Sequence, residues 1–172
     1  GRVVFSPDGH YLYSGSWDNT VIVWNLHASG EYRLVARLHG HNRGIYALDV
    51  APDGKTLVSG ANDRTFIIWN LPEVFKSAGT GKKDLNYRDD VLLNRVVCPA
   101  NCNSVAFTRD GVIAGLDAGE VMVTENSSGE TLRDIPFVTL SPAIDIPSNH
   151  KYQITCPCCG THFAPPQYLM EK

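Results

Sequence analysis

The chain has 172 residues, 43% of them hydrophobic, and a formal charge of −3 that comes from 15 basic and 18 acidic side chains. This composition is typical of a globular domain and excludes a fibrous or disordered class. The charges are scattered and the apolar runs fall short of the roughly 20 residues that span a bilayer, so we predict neither a nucleic-acid partner nor membrane contact.

Short apolar runs separated by turn residues open the chain, and this layout recurs. Residues 48–71 repeat the pattern of residues 3–26, and Trp24 and Trp69 lie 45 residues apart. A period of this length is that of a four-stranded propeller blade and exceeds the periods of ankyrin and tetratricopeptide repeats. The repeat therefore predicts successive propeller blades.

A third copy of the layout begins at Asn103. Its Asp110-Gly111 turn follows the Asp53-Gly54 turn of the second copy by 57 residues, which is 12 residues more than the period. The polar stretch from 72 to 90 contains the extra residues. We predict that it is a surface loop between the third and fourth strands of the second copy.

Within each copy the local signals are those of antiparallel strands. β-branched and aromatic residues form short runs, and an Asp-Gly pair stands at the first bend, where glycine can adopt the positive φ of a tight hairpin. The second bends are Asp18-Asn19 and Asp63-Arg64. Helix should be nearly absent. The predicted strands are 2–6, 11–16, 20–25 and 32–38, then 44–50, 56–60, 65–70 and 91–97, then 103–107, 111–116, 120–124 and 131–135.

The sequence resembles the WD-repeat family from residue 2 to about residue 135. The matching motifs are Gly40-His41, the Ser-Pro-Asp-Gly and Ala-Pro-Asp-Gly turns, Ser14-Gly15-Ser16, Ser59-Gly60-Ala61, Trp24-Asn25 and Trp69-Asn70. The resemblance implies an all-β fold of four-stranded antiparallel blades in an incomplete ring, the C-terminal portion of a propeller. We expect three blades in residues 1–135, at about 1–39, 40–97 and 98–135, of which the third is degenerate.

The resemblance also implies a set of hydrogen-bonded side chains that holds each blade. In the second copy the set is His41, Ser59, Asp63 and Trp69. The first copy retains Ser14, Asp18 and Trp24, and its histidine would lie upstream of Gly1. In the third copy the histidine, aspartate and tryptophan positions hold Cys98, Ala118 and Thr124, with Asp117 one place early.

A histidine, serine and aspartate in one set also occur in hydrolases. A nucleophilic serine, however, stands exposed on a strained turn beside oxyanion donors, whereas Ser59 falls inside a predicted strand. We therefore predict a structural set, and we do not expect an enzyme.

The family geometry implies a contact face made by the loops that join the blades. Carried over residue by residue, this face contains Trp17 and Asn62, which precede the turn aspartates, and Gly44 and Tyr46, which follow Gly40-His41. A tryptophan beside a tyrosine is a typical interface anchor. The alternative is that Trp17 only packs on a neighbouring blade.

Residues 136–172 lie beyond the resemblance and are predicted to form a partial closing blade or a tail. Cys156 and Cys159 have the Cys-Pro-x-Cys-Gly spacing of a zinc knuckle, which supplies half of a tetrahedral site. Cys98 and Cys102, or His162, would complete it, and the alternative is a terminal loop without metal. A reactive Cys159 beside His162 is a remote alternative, a cysteine-dependent enzyme.

The function that the sequence favours is a protein-interaction scaffold or sensor module within a larger multidomain protein. The alternative is a zinc-stabilised adaptor whose cysteine-rich tail makes the contact. Three blades leave the ring open, so the expected partners are other proteins, including missing propeller blades from the same polypeptide or another chain. Five cysteines, three of them crowded together, do not form a disulfide framework and favour the reducing cytoplasm.

Overall fold

The computed structural model describes residues 1–26, 32–108, 111–117 and 119–124, and the backbone of three short strands further along the chain. The chain divides into two compact units, Gly1–Pro142 and Ala143–Lys172. In the second unit, β14 (Ile154–Thr155) pairs antiparallel with β15 (His162–Phe163). Among the described residues, no helix is both long and apolar enough to cross a membrane.

The described residues of the first unit form three antiparallel sheets of four strands each, and the first sheet gains one further, parallel strand from an insertion in the second. The first sheet contains β1 (Arg2–Phe5), β2 (Tyr11–Gly15), β3 (Thr20–Leu26) and β4 (Tyr32–His39). The second contains β5 (Ile45–Val50), β6 (Thr56–Ala61), β7 (Thr65–Asn70) and β9 (Leu92–Val97). The third contains β10 (Cys102–Phe107), β11 (Val112–Leu116), β12 (Val121–Thr124) and β13 (Phe137–Leu140).

This architecture confirms the predicted fold class, an incomplete propeller of four-stranded antiparallel sheets. The bounds of the first eleven predicted strands agree with the structure to within one residue. The predicted twelfth strand, 131–135, lies outside the described residues, and the strand that pairs with β12 is Phe137–Leu140.

The hairpins bend where the sequence supplies residues that tolerate positive φ. Gly9 and Gly54 have φ of 73° and 68° at the first bends of their sheets. Asn19 and Arg64 have φ of 73° and 59° at the second bends. Glycine adopts this conformation without strain and asparagine with little, whereas Arg64 adopts it at a cost that its surroundings must offset.

The second sheet lies between two hydrophobic cores. Because side chains alternate along a strand, Leu57, Ile67 and Trp69 pack towards the first sheet. Val58 and Phe66 pack towards the third. Both faces are therefore covered, which explains why every residue of β6 and β7 except Thr56 and Asn70 is buried.

The stretch from 72 to 90 was predicted as a loop, and this prediction is wrong. It belongs to an insertion with α1 (Leu71–Gly79), the two-residue strand β8 (Asp84–Leu85) and a 3-10 turn at Tyr87–Asp89. The Asn70 side chain caps α1 by accepting from the Glu73 N–H at 3.4 Å, and Glu73 pairs with Lys76 at 3.0 Å. The apolar side chains recur at helical spacing and face the core, at Leu71, Val74, Phe75 and Ala78.

The insertion ties the second sheet to the first. It leaves the second sheet after β7, and β8 then pairs in parallel with β4, so that Leu85 stands beside Leu38. The Phe75 ring of α1 lies 4.5 Å from the ring of Tyr11. The strand β4 would otherwise present unpaired backbone groups along its outer edge. Its pairing with β8 covers part of this edge.

We predict that Leu85→Ala lowers the free energy of unfolding by about 2–4 kcal/mol, because the side chain is fully buried between β4 and the second sheet. The matched control is Tyr87→Ala, two residues further on, where the side chain is 63% exposed and the change should stay within about 0.5 kcal/mol. Urea midpoints of both variants measure this. Equal midpoints would show that β8 does not contribute to the core.

Candidate functional site

A continuous chain of hydrogen bonds joins four side chains at the end of the second sheet. His41 lies in the connection from β4 to β5, Ser59 on β6, Asp63 in the hairpin from β6 to β7, and Trp69 on β7. The Trp69 indole N–H donates to Ser59 Oγ at 2.8 Å, and Ser59 Oγ lies 2.8 Å from His41 Nε2. His41 Nδ1 lies 3.1 Å from the Asp63 carboxylate.

The acceptor fixes the direction of the bond between His41 and Asp63. A carboxylate accepts only, so His41 Nδ1 carries the proton that is donated to Asp63, and Nε2 lies against Ser59 Oγ, which accepts from the Trp69 indole. The Thr65 hydroxyl also donates to Asp63 at 2.7 Å, and the Asn42 backbone N–H donates to it at 2.8 Å. One carboxylate thus holds the β4–β5 connection against the β6–β7 hairpin.

Asp63 remains ionised although its side chain is only 6% exposed. Burial alone would raise the pKa of this carboxyl group, but the hydrogen bonds from His41, Thr65 and the Asn42 backbone outweigh burial. The pKa of Asp63 is therefore held well below its usual 3.8. The charge is stabilised by donors on both elements that it joins.

This arrangement does not present a nucleophile to a substrate. Ser59 is fully buried, its hydroxyl is engaged by two partners, and the His41 side chain is fully buried as well. Among the described side chains, every buried nitrogen and oxygen atom has a hydrogen-bond partner. A buried set whose polar atoms are all hydrogen-bonded stabilises one conformation of the protein and does not supply a reactive group.

The first sheet contains the corresponding serine, aspartate and tryptophan without a histidine. The Trp24 indole N–H donates to Ser14 Oγ at 2.9 Å. Asp18 accepts from the backbone N–H and the hydroxyl of Thr20, at 2.9 and 2.7 Å. Trp24 is half-buried, whereas Trp69 is fully buried.

The third sheet joins its loop to its hairpin in another way. Asp117 accepts from the backbone N–H of Asn101 at 3.2 Å and from its side-chain amide at 2.8 Å. These bonds correspond to the hydrogen bond that the Asn42 backbone N–H donates to Asp63 in the second sheet. Ala118 and the Thr124 side chain lie outside the described residues.

The four candidate contact residues come together at the edge where the hairpins and the β4–β5 connection meet. Trp17 is 68% exposed, and its ring centroid lies 5.3 Å from that of Tyr46. A Cβ at Gly44 would stand 3.3 Å from the Trp17 Cα, so a small residue permits this approach. The Asn62 N–H donates to the Gly44 carbonyl at 3.0 Å. Trp17 therefore packs against the second sheet, while most of the surface of the Trp17 side chain remains exposed.

The candidate metal ligands divide between described and undescribed residues. Cys156, Cys159 and the His162 side chain lie outside the described part. Cys98 and Cys102 are buried free thiols, and the hydrogen bond to Cys98, followed by burial, raises the pKa of Cys102 well above its usual range. No cluster of three or more potential ligands occurs among the described residues.

Comparisons with known proteins show what the repeat is similar to. The WD40 family model, described as WD domain, G-beta repeat, matches residues 2–25 and 32–70. Among solved structures, the chain is similar to the Cps50 (Swd1) β-propeller domain of Myceliophteria thermophila, with a TM-score of 0.59 and 21% identity over 80% of this chain. The chain spans 38% of that structure, and the likeness concerns the fold. No curated protein matches the sequence.

We predict that Asp63→Ala lowers the free energy of unfolding at pH 7 by about 1–3 kcal/mol, because it leaves buried donors without an acceptor. The matched control is Asp18→Ala, which removes the corresponding aspartate of the first sheet and should cost about 1 kcal/mol or less, since Asp18 is exposed and accepts only from its own hairpin. Urea denaturation measures both. An equal loss for the two variants would contradict the role given to His41 and Asn42.

The lowered pKa of Asp63 gives the same set a pH dependence of known sign. A carboxylate whose folded pKa lies below its unfolded value stabilises the fold fully above the unfolded pKa and loses that effect as the pH falls through the folded pKa. The difference in unfolding free energy between the native chain and Asp63→Ala should therefore be constant above about pH 5 and shrink below about pH 4. Urea titrations at pH 7, 5, 4 and 3 measure this difference. A constant difference at every pH would contradict it.

Proposed function

We propose that this chain, a WD-repeat protein with a β-propeller fold, is a protein-interaction scaffold or sensor module within a larger multidomain protein. WD40 propeller domains typically mediate contacts between proteins. The observation that carries the proposal is the exposed ring of Trp17 packed beside the half-buried ring of Tyr46 at the edge where the loops meet. Exposed tryptophan and tyrosine side chains supply a large part of the binding energy in protein interfaces.

The anchor is held in place before any partner binds. Asp18 fixes the hairpin beside Trp17 through its two hydrogen bonds to Thr20. The backbone N–H of Ile45 donates to the Ser16 carbonyl at 3.0 Å and so joins the β4–β5 connection to this hairpin. A side chain that is already ordered loses less conformational entropy on binding.

The surroundings of the anchor have the composition of an interface. Arg43 precedes Gly44 in the chain and Arg64 follows Asp63, and both arginine side chains are exposed. Aromatic residues and arginine are enriched in protein interfaces, whereas lysine and glutamate are depleted. We propose that Trp17, Tyr46 and Asn62 make the contact, with Gly44 allowing the two rings to approach.

The partners that we propose are other proteins, and they include further propeller blades from the same polypeptide or from another chain. The compartment that we propose is the reducing cytoplasm, because five cysteines, three of them crowded together at 156, 158 and 159, do not form the disulfide framework of a secreted domain.

We predict that Trp17→Ala weakens partner binding by about 2 kcal/mol or more, which is about 30-fold in Kd, while the far-ultraviolet circular dichroism stays unchanged. Proteins captured by the native chain are compared with those captured by Trp17→Ala and by the control Tyr87→Ala, an exposed aromatic on the insertion. The Kd of a partner lost only with Trp17→Ala is then measured with purified proteins. Loss of both the fold and the binding in Trp17→Ala would show that Trp17 only packs. Equal capture by the native chain, Trp17→Ala and Tyr87→Ala would show that Trp17 does not contribute to the interface.

A further inference from the structure

The outer edge of the first sheet is occupied by a segment of the insertion. The strand β8 pairs in parallel with β4, with Asp84 opposite Arg37 and Leu85 opposite Leu38. The Arg37 N–H donates to the Lys83 carbonyl at 2.7 Å, and the Arg37 guanidinium lies 3.3 Å from the Asp84 carboxylate. Backbone bonds and an ion pair thus hold an acidic residue followed by a leucine at this edge.

The outer strand of the second sheet has an arginine at the same place. On β4, Arg37 stands opposite Ile22, and on β9, Arg95 stands opposite Ile67. Ile22 and Ile67 are one 45-residue period apart, and in both sheets the register shifts just before the tryptophan. Arg95 is therefore the counterpart of Arg37.

The outer edge of β9 has no neighbouring strand in the described part of the chain, where β9 is the last strand of its sheet. Leu38 on β4 is fully buried, whereas its counterpart Val96 is partly buried and Val97 is 73% exposed. Arg37 turns its backbone N–H towards the outer neighbour, so the backbone of Arg95 faces outwards as well. An edge of this kind is a template for a further strand.

Arg95 also offers a positive charge at this edge. Its guanidinium donates to the Gly40 carbonyl, and no carboxylate of the described residues pairs with it. A guanidinium has several N–H donors, so one bond to a carbonyl leaves others available. The side chain borders a hollow of about 610 Å³ that Leu92 and Gly40 also line. A carboxylate can therefore lie beside Arg95 as Asp84 lies beside Arg37.

We propose that the outer edge of β9 binds an extended segment of a partner protein in which an aspartate or glutamate is followed by an apolar residue. The segment pairs in parallel with β9, its carboxylate pairs with Arg95, and its apolar side chain lies beside Val96. This edge is separate from the residues around Trp17. It gives the proposed scaffold a second contact surface and rests on the proposed function only in that its ligand is a protein.

The acidic and apolar segment of the insertion is not the expected occupant of the β9 edge. Asp84 and Leu85 already pair with β4, and the Asp84 carboxylate also lies 3.1 Å from His39 Nε2. A second copy of the chain would have to release this strand and uncover Leu85, which is fully buried. The free energy of exposing a leucine side chain opposes such an exchange.

A synthetic peptide that copies the β8 segment tests the edge. The peptide has the sequence of residues 81–87, Gly-Lys-Lys-Asp-Leu-Asn-Tyr, with a fluorescent label at its N-terminus and an amide at its C-terminus. Its fluorescence anisotropy is measured as the full chain is added. Because β8 fills the β4 edge, saturable binding is expected at the β9 edge. Absence of saturable binding would overturn the proposal.

The ion pair is tested from both sides. Arg95→Gln in the chain, and asparagine in place of the aspartate in the peptide, should each weaken binding by about tenfold or more, because each removes a charge-assisted hydrogen bond. The two changes together should weaken binding little further than either alone. The matched control is Arg88→Gln, an exposed arginine of the insertion that does not border the hollow. Equal effects of the two arginine changes, or additive effects of Arg95→Gln and the peptide change, would overturn the proposal.

Methylation of single backbone nitrogens in the peptide tests the strand pairing. In β8 the Lys83 carbonyl faces β4. Because backbone groups alternate in direction along a strand, the Leu85 N–H faces β4 as well and the Asp84 N–H faces away. Methylation of the leucine nitrogen should therefore remove binding, and methylation of the aspartate nitrogen should leave it. Equal effects of the two methylations would overturn the pairing with β9.

Arg95→Gln also separates this edge from the surface around Trp17. Its urea midpoint should stay close to that of the native chain because the side chain is exposed, and it should capture the Trp17-dependent partner unchanged. Trp17→Ala should in turn bind the peptide unchanged. A dimer in light scattering that Arg95→Gln dissociates would assign the edge to a second copy and overturn the proposal. Should Arg95→Gln fail to fold, the asparagine peptide and the methylated peptides test the edge on the native chain.

Discussion

In the first two sheets, side chains on both faces are apolar, and this constraint governs the rest of the structure. A sheet of this kind leaves water only when a neighbour covers each of its faces. The second sheet meets this condition, with Trp69 in one core and Phe66 in the other. Among the described residues, the first sheet meets it on one face, and Trp24 is half-buried on the other. Stability in such an array is a property of interfaces between neighbours, and no single sheet accounts for it.

The buried polar set makes one of these interfaces selective. Apolar contacts alone tolerate sliding of one sheet over the next, but the bonds of Asp63 to His41 and to the Asn42 backbone form only in one register. The arrangement is stable because every buried donor and acceptor in the described part is paired. The interface with the third sheet replaces the histidine with Cys98, whose thiol contacts Cys102 in a mainly apolar setting.

The 45-residue repeat was sufficient to predict the first eleven strands, because turn chemistry and strand length repeat with it. It was not sufficient for the insertion, whose helix begins at the Asn70 cap and has apolar residues at helical spacing from Leu71 to Ala78. That signal was present but was obscured by the polar composition of the segment. The pairing of β8 with β4 depends on tertiary contacts and had no local signal. The spacing of Trp24 and Trp69 likewise predicted equivalent positions and could not predict their different burial, which depends on what covers each sheet.

The buried hydrogen-bonded set and the candidate contact residues are linked through the β4–β5 connection. His41 fixes the connection that continues into Gly44 and Tyr46, so the position of the Tyr46 ring follows from the hydrogen bonds of Asp63. Trp17 precedes Asp18, which takes the corresponding place in the first sheet but is held only from within its own hairpin. The backbone that carries Tyr46 is therefore fixed by contacts between two sheets, whereas the backbone that carries Trp17 is fixed more weakly.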